Sequence, residues 1–120
     1  MSDDASTFSR DPAVGADDAV GPLAWHGNLV RPTLEGLQQA MRTITEAGSV
    51  GQHPLLYLRG DDDRLVPLPA SWEGLRTLRG PATHTKTCPG ARHEIFDETN
   101  REEALADVVD VVDQVLADGR

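Results

Sequence analysis

The sequence predicts an α/β fold with two short parallel strands and three to four helices. Three observations predict it. A continuous apolar run, Pro54-Leu55-Leu56-Tyr57-Leu58, is bounded by breakers, the pattern of a strand covered on both faces. A second run, Thr83-His84-Thr85-Lys86-Thr87-Cys88, alternates hydroxyl and larger side chains and has moderate strand character. Between and after the two runs, apolar residues recur at three- and four-residue steps, so helices alternate with strands as in parallel sheets.

Taken in order, residues 1–22 are poor in large apolar side chains and rich in Asp, Ser, Gly and Ala. They are expected to form a flexible leader, with Asp17 and Asp18 as solvated charges. Residues 23–53 are expected to hold a turn and a helix. Trp25, Leu29 and Val30 surround Gly27 in the turn, and His26 reads as structural rather than catalytic. Over residues 32–47, Leu34, Leu37, Met41 and Ile44 share one helical face. Pro32 stands at a tolerated first-turn position, and Gly48 stands where a cap ends a helix.

Residues 54–120 contain the remaining elements. The first strand runs into Gly60-Asp61-Asp62-Asp63, at the strand end where open α/β sheets place ligands and catalytic groups. The alternating acids, glycine and distal Glu of a calcium loop are missing from this turn. A helix over residues 69–78 carries Trp72, Leu75 and Leu78 at three-residue steps, and Gly80-Pro81 ends it. The last helix opens at Asn100, which with Glu103 makes a capping-box pattern. Leu105, Val108, Val109, Val112, Val115 and Leu116 then form an apolar stripe that is expected to lie on the sheet. Burying six such side chains would stabilise the fold by about 9–18 kcal/mol before entropy is counted.

Between the second strand and that helix lies Cys88-Pro89-Gly90-Ala91-Arg92-His93-Glu94-Ile95-Phe96-Asp97-Glu98. It holds one imidazole in a loop between two rigid elements, a setting suited to proton transfer. A surface histidine with acidic neighbours explains the same residues more plainly. His84, Cys88 and His93 offer three loosely spaced ligands where structural zinc sites bring four in tight pairs. No metal or cofactor is expected.

The stretches 55–67 and 88–98 together resemble the C-terminal part of the α/β-hydrolases, most closely the lysophospholipase and monoacylglycerol-lipase branch. In that branch a His-Gly-x-x-Asp-x-Leu-Val-type loop carries the triad acid, matched here by Arg59-Gly60-Asp61-Asp62-Asp63-Arg64-Leu65-Val66. A Tyr-Pro-Gly-x-x-His-Glu-Ile-Phe-Asn-Glu-type segment carries the triad histidine, matched by residues 88–98. The likeness starts near Phe8 and includes Ser9-Arg10-Asp11-Pro12 and the helix after it. It implies that Asp63 is the acid and His93 the base of an ester hydrolase acting on lysophospholipids or monoacylglycerols. It also implies that the helix over residues 32–47 belongs to a cap over the acyl-binding groove.

Three departures stand beside the likeness. Arg59 replaces the usual His, Cys88 replaces the usual Tyr, and no Gly-x-Ser-x-Gly nucleophile motif exists in the chain. Ala47-Gly48-Ser49-Val50-Gly51 comes nearest, but it follows a helix and precedes a strand, the reverse of the elbow's context. The chain is therefore expected to be inactive alone, and a lipid ester is its substrate only when a nucleophile-bearing portion complements it. Two strands leave three apolar helix faces undercovered, so self-association or pairing with an N-terminal hydrolase portion is expected. The alternative is a non-catalytic remnant or small interaction protein that uses those faces.

Composition bounds the partners. Twenty acidic against eleven basic residues give a formal charge of −9 over 120 residues, which argues against nucleic acid and anionic lipid. One cysteine excludes an intrachain disulfide. Met1-Ser2-Asp3-Asp4 opens no apolar signal region, and no run approaches the roughly 20 apolar residues of a membrane span. Stable membrane insertion is not expected, and the cytoplasm is the expected location.

Overall fold

The computed structural model describes residues 4–25 and 27–119, so His26 and the first three residues lie outside the described part. A single 3-10 turn, Ala5–Thr7, precedes helix α1, Pro12–Val20. Helix α2 spans Arg31–Ala47, strand β1 Leu55–Gly60 and helix α3 Leu68–Leu78. Strand β2, Thr83–Cys88, and helix α4, Arg101–Ala117, complete the order. The strands are parallel, with Leu55 opposite Thr83 and Gly60 opposite Cys88. Helix α3 makes the crossover that parallel pairing demands.

Strand periodicity sorts β1 between two layers. Tyr57 turns to α3, where its ring meets Trp72 edge-on at 6.1 Å and its hydroxyl bonds the Ser71 hydroxyl. Leu58 turns to the opposite face and packs on Cys88, Ala91 and Ala104, the last of these on α4. Helices thus cover both faces of the sheet, as expected of buried parallel strands.

Three expectations from the sequence need correction. The leader expected over residues 1–22 is, in its described part, an anchored segment containing α1. Asp11 caps α1 by accepting from the Ala13 N–H at 2.9 Å, and Ser9 is buried with 3% exposure. The capping box does not form. The Asn100 carboxamide oxygen accepts instead from Arg10 Nη2 at 2.5 Å, and its amide donates to Glu103 Oε2 at 3.2 Å. The stripe on α4 is displaced by one helical row. Ala104 and Val111 are buried and Val108 and Val115 half-buried, an i, i+4, i+7, i+11 row facing the sheet. Leu105, Val109, Val112 and Leu116 form the adjacent row and remain exposed, because two strands are too narrow to cover both. Helix α2 buries none of its seventeen residues, and its predicted face of Leu34, Leu37, Met41 and Ile44 is exposed.

The result is an open assembly. Its Cα radius of gyration is 16.5 Å, against about 13–14 Å for a compact domain of this length. Leu55 N–H and Asp61 N–H bond toward β2, so by the parallel alternation the backbone groups of Leu56 and Leu58 point to the other, free edge of β1. Apolar grooves flank that strand. One of about 280 Å³ is lined by Met41, Ile44, Leu55, Tyr57, Leu75 and Leu78, among others. The second, about 270 Å³, lies between Pro54, Leu55 and Leu56 and the Val111–Leu116 end of α4.

Candidate active site

The three consecutive aspartates at the end of β1 have separate tasks. Asp61 Oδ1 accepts the Gly90 N–H at 2.6 Å and staples the Pro-Gly turn to the strand end. Asp62 pairs with Arg64 Nη2 at 2.9 Å and lies 3.8 Å from Arg92 Nε. Asp63 Oδ1 accepts the N–H groups of Leu65 and Val66 at 2.9 and 3.0 Å. That local turn leaves Oδ2 to face His93 Nδ1 at 3.2 Å.

The Asp63 side chain is 9% exposed and that of His93 38%, so the carboxylate is sheltered and the imidazole opens to solvent. Burial pushes the Asp63 carboxyl up, but hydrogen bonds from Val66, His93 and Leu65 outweigh it and hold it below the usual aspartate value. The His93 Nε2 atom makes no hydrogen bond among the described residues. A carboxylate that takes Nδ1–H fixes one tautomer and leaves Nε2 as the proton acceptor, the geometry of an acid–base pair.

Local backbone chemistry brings this pair together. A β-carbon on Gly60 would lie 2.1 Å from the Ala91 carbonyl oxygen and 2.3 Å from that of Arg92. Only glycine lets the histidine loop close over the strand end. There the Ala91 carbonyl accepts the Asp62 N–H at 3.0 Å, and Ala91 itself is fully buried. The other side of the loop is stitched to residues 6–10. Ser9 Oγ donates to the Asp97 carbonyl at 2.9 Å, and Arg92 Nη1 donates to the carbonyls of Ser6 and Ser9. The Glu94 N–H donates to the Phe8 carbonyl at 2.9 Å.

Glu98, which sequence reasoning leaves unassigned, lies at the centre of these contacts with 1% exposure. Two of its four hydrogen bonds come from Arg10, 88 positions away, and no local pattern signals that. Burial raises its carboxyl, but the Arg92 N–H, the Arg10 side chain and the Thr99 and Arg10 N–H groups outweigh it and lower the value.

The remaining candidates fall elsewhere. Ser49 Oγ donates to the Arg79 carbonyl at 2.9 Å and accepts the Gly51 N–H at 3.1 Å, a turn beside the start of the sheet. Asp63 and His93 stand at the other end, a strand length of roughly 20 Å away at about 3.3 Å per residue. Cys88 is sequestered with Ala91 and Ala104, and burial raises its thiol. His93 is turned to Asp63, so His84, Cys88 and His93 do not converge on one centre.

The family described as serine aminopeptidase, S33 matches residues 1–100. The chain belongs to this family. A monoacylglycerol lipase of Mycolicibacterium smegmatis is 36% identical over 108 residues. The match covers 88% of this S33 chain and 38% of that lipase. The crystal structure of the Paleococcus ferrophilus monoacylglycerol lipase superposes with a TM-score of 0.67 at 23% identity, covering 89% of this chain and 42% of the other. The fold is therefore that of an α/β-hydrolase, of which these 120 residues are a part. The chain spans about two fifths of the length of the relatives it matches. Among the described residues no helix is long and apolar enough to cross a membrane.

Proposed function

We propose that this chain supplies the acid, Asp63, and the base, His93, of a Ser-His-Asp ester hydrolase of the monoacylglycerol-lipase type. The observation that carries the reading is the 3.2 Å approach of Asp63 Oδ2 to His93 Nδ1 at the C-terminal ends of two parallel strands, with Nε2 unbonded among the described residues. His93 Nε2 takes the proton of an attacking serine hydroxyl as that oxygen bonds the ester carbonyl carbon. It then returns the proton to the departing alcohol, and water releases the acid by the same relay. Asp63 stays ionised and stabilises the imidazolium that forms between the two transfers.

The serine and the oxyanion hole come from a portion outside these 120 residues. That portion pairs with the free edge of β1 and fills the two apolar grooves, and the chain is inactive without it. Helix α2, whose Met41 and Ile44 line one groove, then serves as part of a cap over the acyl chain. The substrate is a lipid ester, a monoacylglycerol or lysophospholipid.

The test is hydrolysis of a short-chain p-nitrophenyl ester by the chain alone, and again with the first three fifths of the Mycolicibacterium smegmatis lipase added in trans. Turnover only in the mixture, and only with His93 intact, is expected. Turnover by the chain alone that is lost in both H93A and S49A would make Ser49 a nucleophile and overturn the reading. A second reading, a non-catalytic interaction protein, draws on the exposure of Leu105, Val109, Val112 and Leu116 along α4. Binding of the added portion without turnover would favour it.

A further inference from the structure

The Asp63–His93 contact does not order the loop that carries it. His93 is more than a third exposed, and residues 89–100 contain no helix or strand. One half-exposed hydrogen bond gains less than the ordering of two loop residues costs. Another group must aim the ring.

Glu98 is placed to do so. Its side chain is 0% exposed. Oε1 accepts the N–H groups of Arg10 at 3.1 Å and Arg92 at 2.8 Å. Oε2 accepts Arg10 Nε at 2.9 Å and the Thr99 N–H at 3.1 Å. A carboxylate offers about four acceptor directions, and all are filled, from three segments of chain. Arg92 immediately precedes His93. Glu94 follows it, and the Glu94 N–H is held by the Phe8 carbonyl at 2.9 Å. The backbone of His93 is thus clamped on both sides by groups that never touch its ring.

We infer that Glu98 is a positioning residue for His93. Together with residues 8–10 it fixes the direction in which the imidazole leaves the backbone, so that Nδ1 meets Asp63 rather than solvent. The inference rests on the reading of Asp63 and His93 as an acid–base pair.

The experiment is ¹⁵N NMR of the His93 ring in the 120-residue chain, at a pH where the ring is neutral. The ring shifts give the ratio of the Nδ1–H to the Nε2–H tautomer. The variants are Glu98→Gln, Arg10→Ala and Asp63→Ala, with circular dichroism and the Ala91 methyl signal as checks of fold. In the native chain the Nδ1–H form dominates. Glu98→Gln lowers the ratio roughly tenfold, and Arg10→Ala, which leaves three backbone donors on Glu98, roughly threefold.

A folded Glu98→Gln chain with the native ratio overturns the inference. Should Glu98→Gln fail to fold, the milder Arg10→Ala variant decides, and a native ratio there overturns it equally. A ratio that Asp63→Ala leaves unchanged would remove the acid–base reading and the positioning role together. A ratio that shifts in Asp63→Ala but in neither other variant removes the positioning role alone.

Discussion

The two ends of this molecule are built by different means. At the C-terminal end of the strands, polar groups hold three chain segments together: Glu98 takes four donors, Asp61 and Ser9 tie separate segments, and Asp63 closes its own turn. Along the flank formed by α2, the free edge of β1 and the outer row of α4, the surfaces are apolar and largely uncovered. Hydrogen bonds are satisfied pairwise within the chain, whereas apolar area is satisfied only by something large enough to cover it. The corner that brings Asp63 to His93 is therefore closed by contacts within these residues, whereas the apolar flank is left largely uncovered.

Substitutions at the two ends should separate most widely at Glu98. Glu98→Ala leaves three backbone N–H groups and the Arg10 side chain without their acceptor, and is expected to cost about 3 kcal/mol or more in urea unfolding. Leu37→Ala, on the exposed face of α2, is expected to change stability by less than about 0.5 kcal/mol. Equal costs would mean that the comparison is false. Gly60→Ala comes next. Its methyl must displace the Ala91 and Arg92 carbonyls, so about 1–3 kcal/mol is expected, together with loss of the native His93 ring signals. An unchanged thermal midpoint would show that the loop adapts without strain.

Acidification sharpens the same contrast. Asp63 and Glu98 both sit below their ordinary values of 3.8 and 4.5. A carboxylate lowered in the folded state contributes stability above its unfolded value and loses it as pH falls through the folded one. The thermal midpoint should hold from pH 7 to about 5, then fall below about pH 4. Glu98→Gln should flatten part of that fall. The smallest effect is expected at Leu116→Glu on α4. Stability of the chain alone should move by less than about 0.5 kcal/mol, while pairing with an added N-terminal hydrolase portion weakens measurably. Tight pairing that ignores this charge would place the partner elsewhere.

Local patterns made most of the fold legible. The apolar run at Leu55–Leu58 and the helical spacing of Leu75 with Leu78 lie within single elements, and the elements form where those patterns stand. The facing of α4 was not legible. Ala104 is too small to mark an apolar stripe, and the larger Leu105 and Val109 mark a row that two strands cannot reach. Asp63 and His93 could be picked out through the motifs around them, and the structure brings the two into contact. Glu98 and Ser9 could not, because each is buried by backbone groups 88 positions away. No periodicity records such a contact, and a short polar segment near the start reads as a tail.

That separation has a consequence for how the corner is made. Contacts across 83 to 90 positions join residues 9–10 to residues 92–100. A chain synthesised from its N-terminus exposes the first partner long before the second exists, and closing so long a loop adds entropy that neighbouring contacts avoid. The strand, crossover helix and second strand can assemble while residues 9–10 wander. By that order of contacts the loop carrying His93 closes last, once residues 9–10 have met residues 92–100.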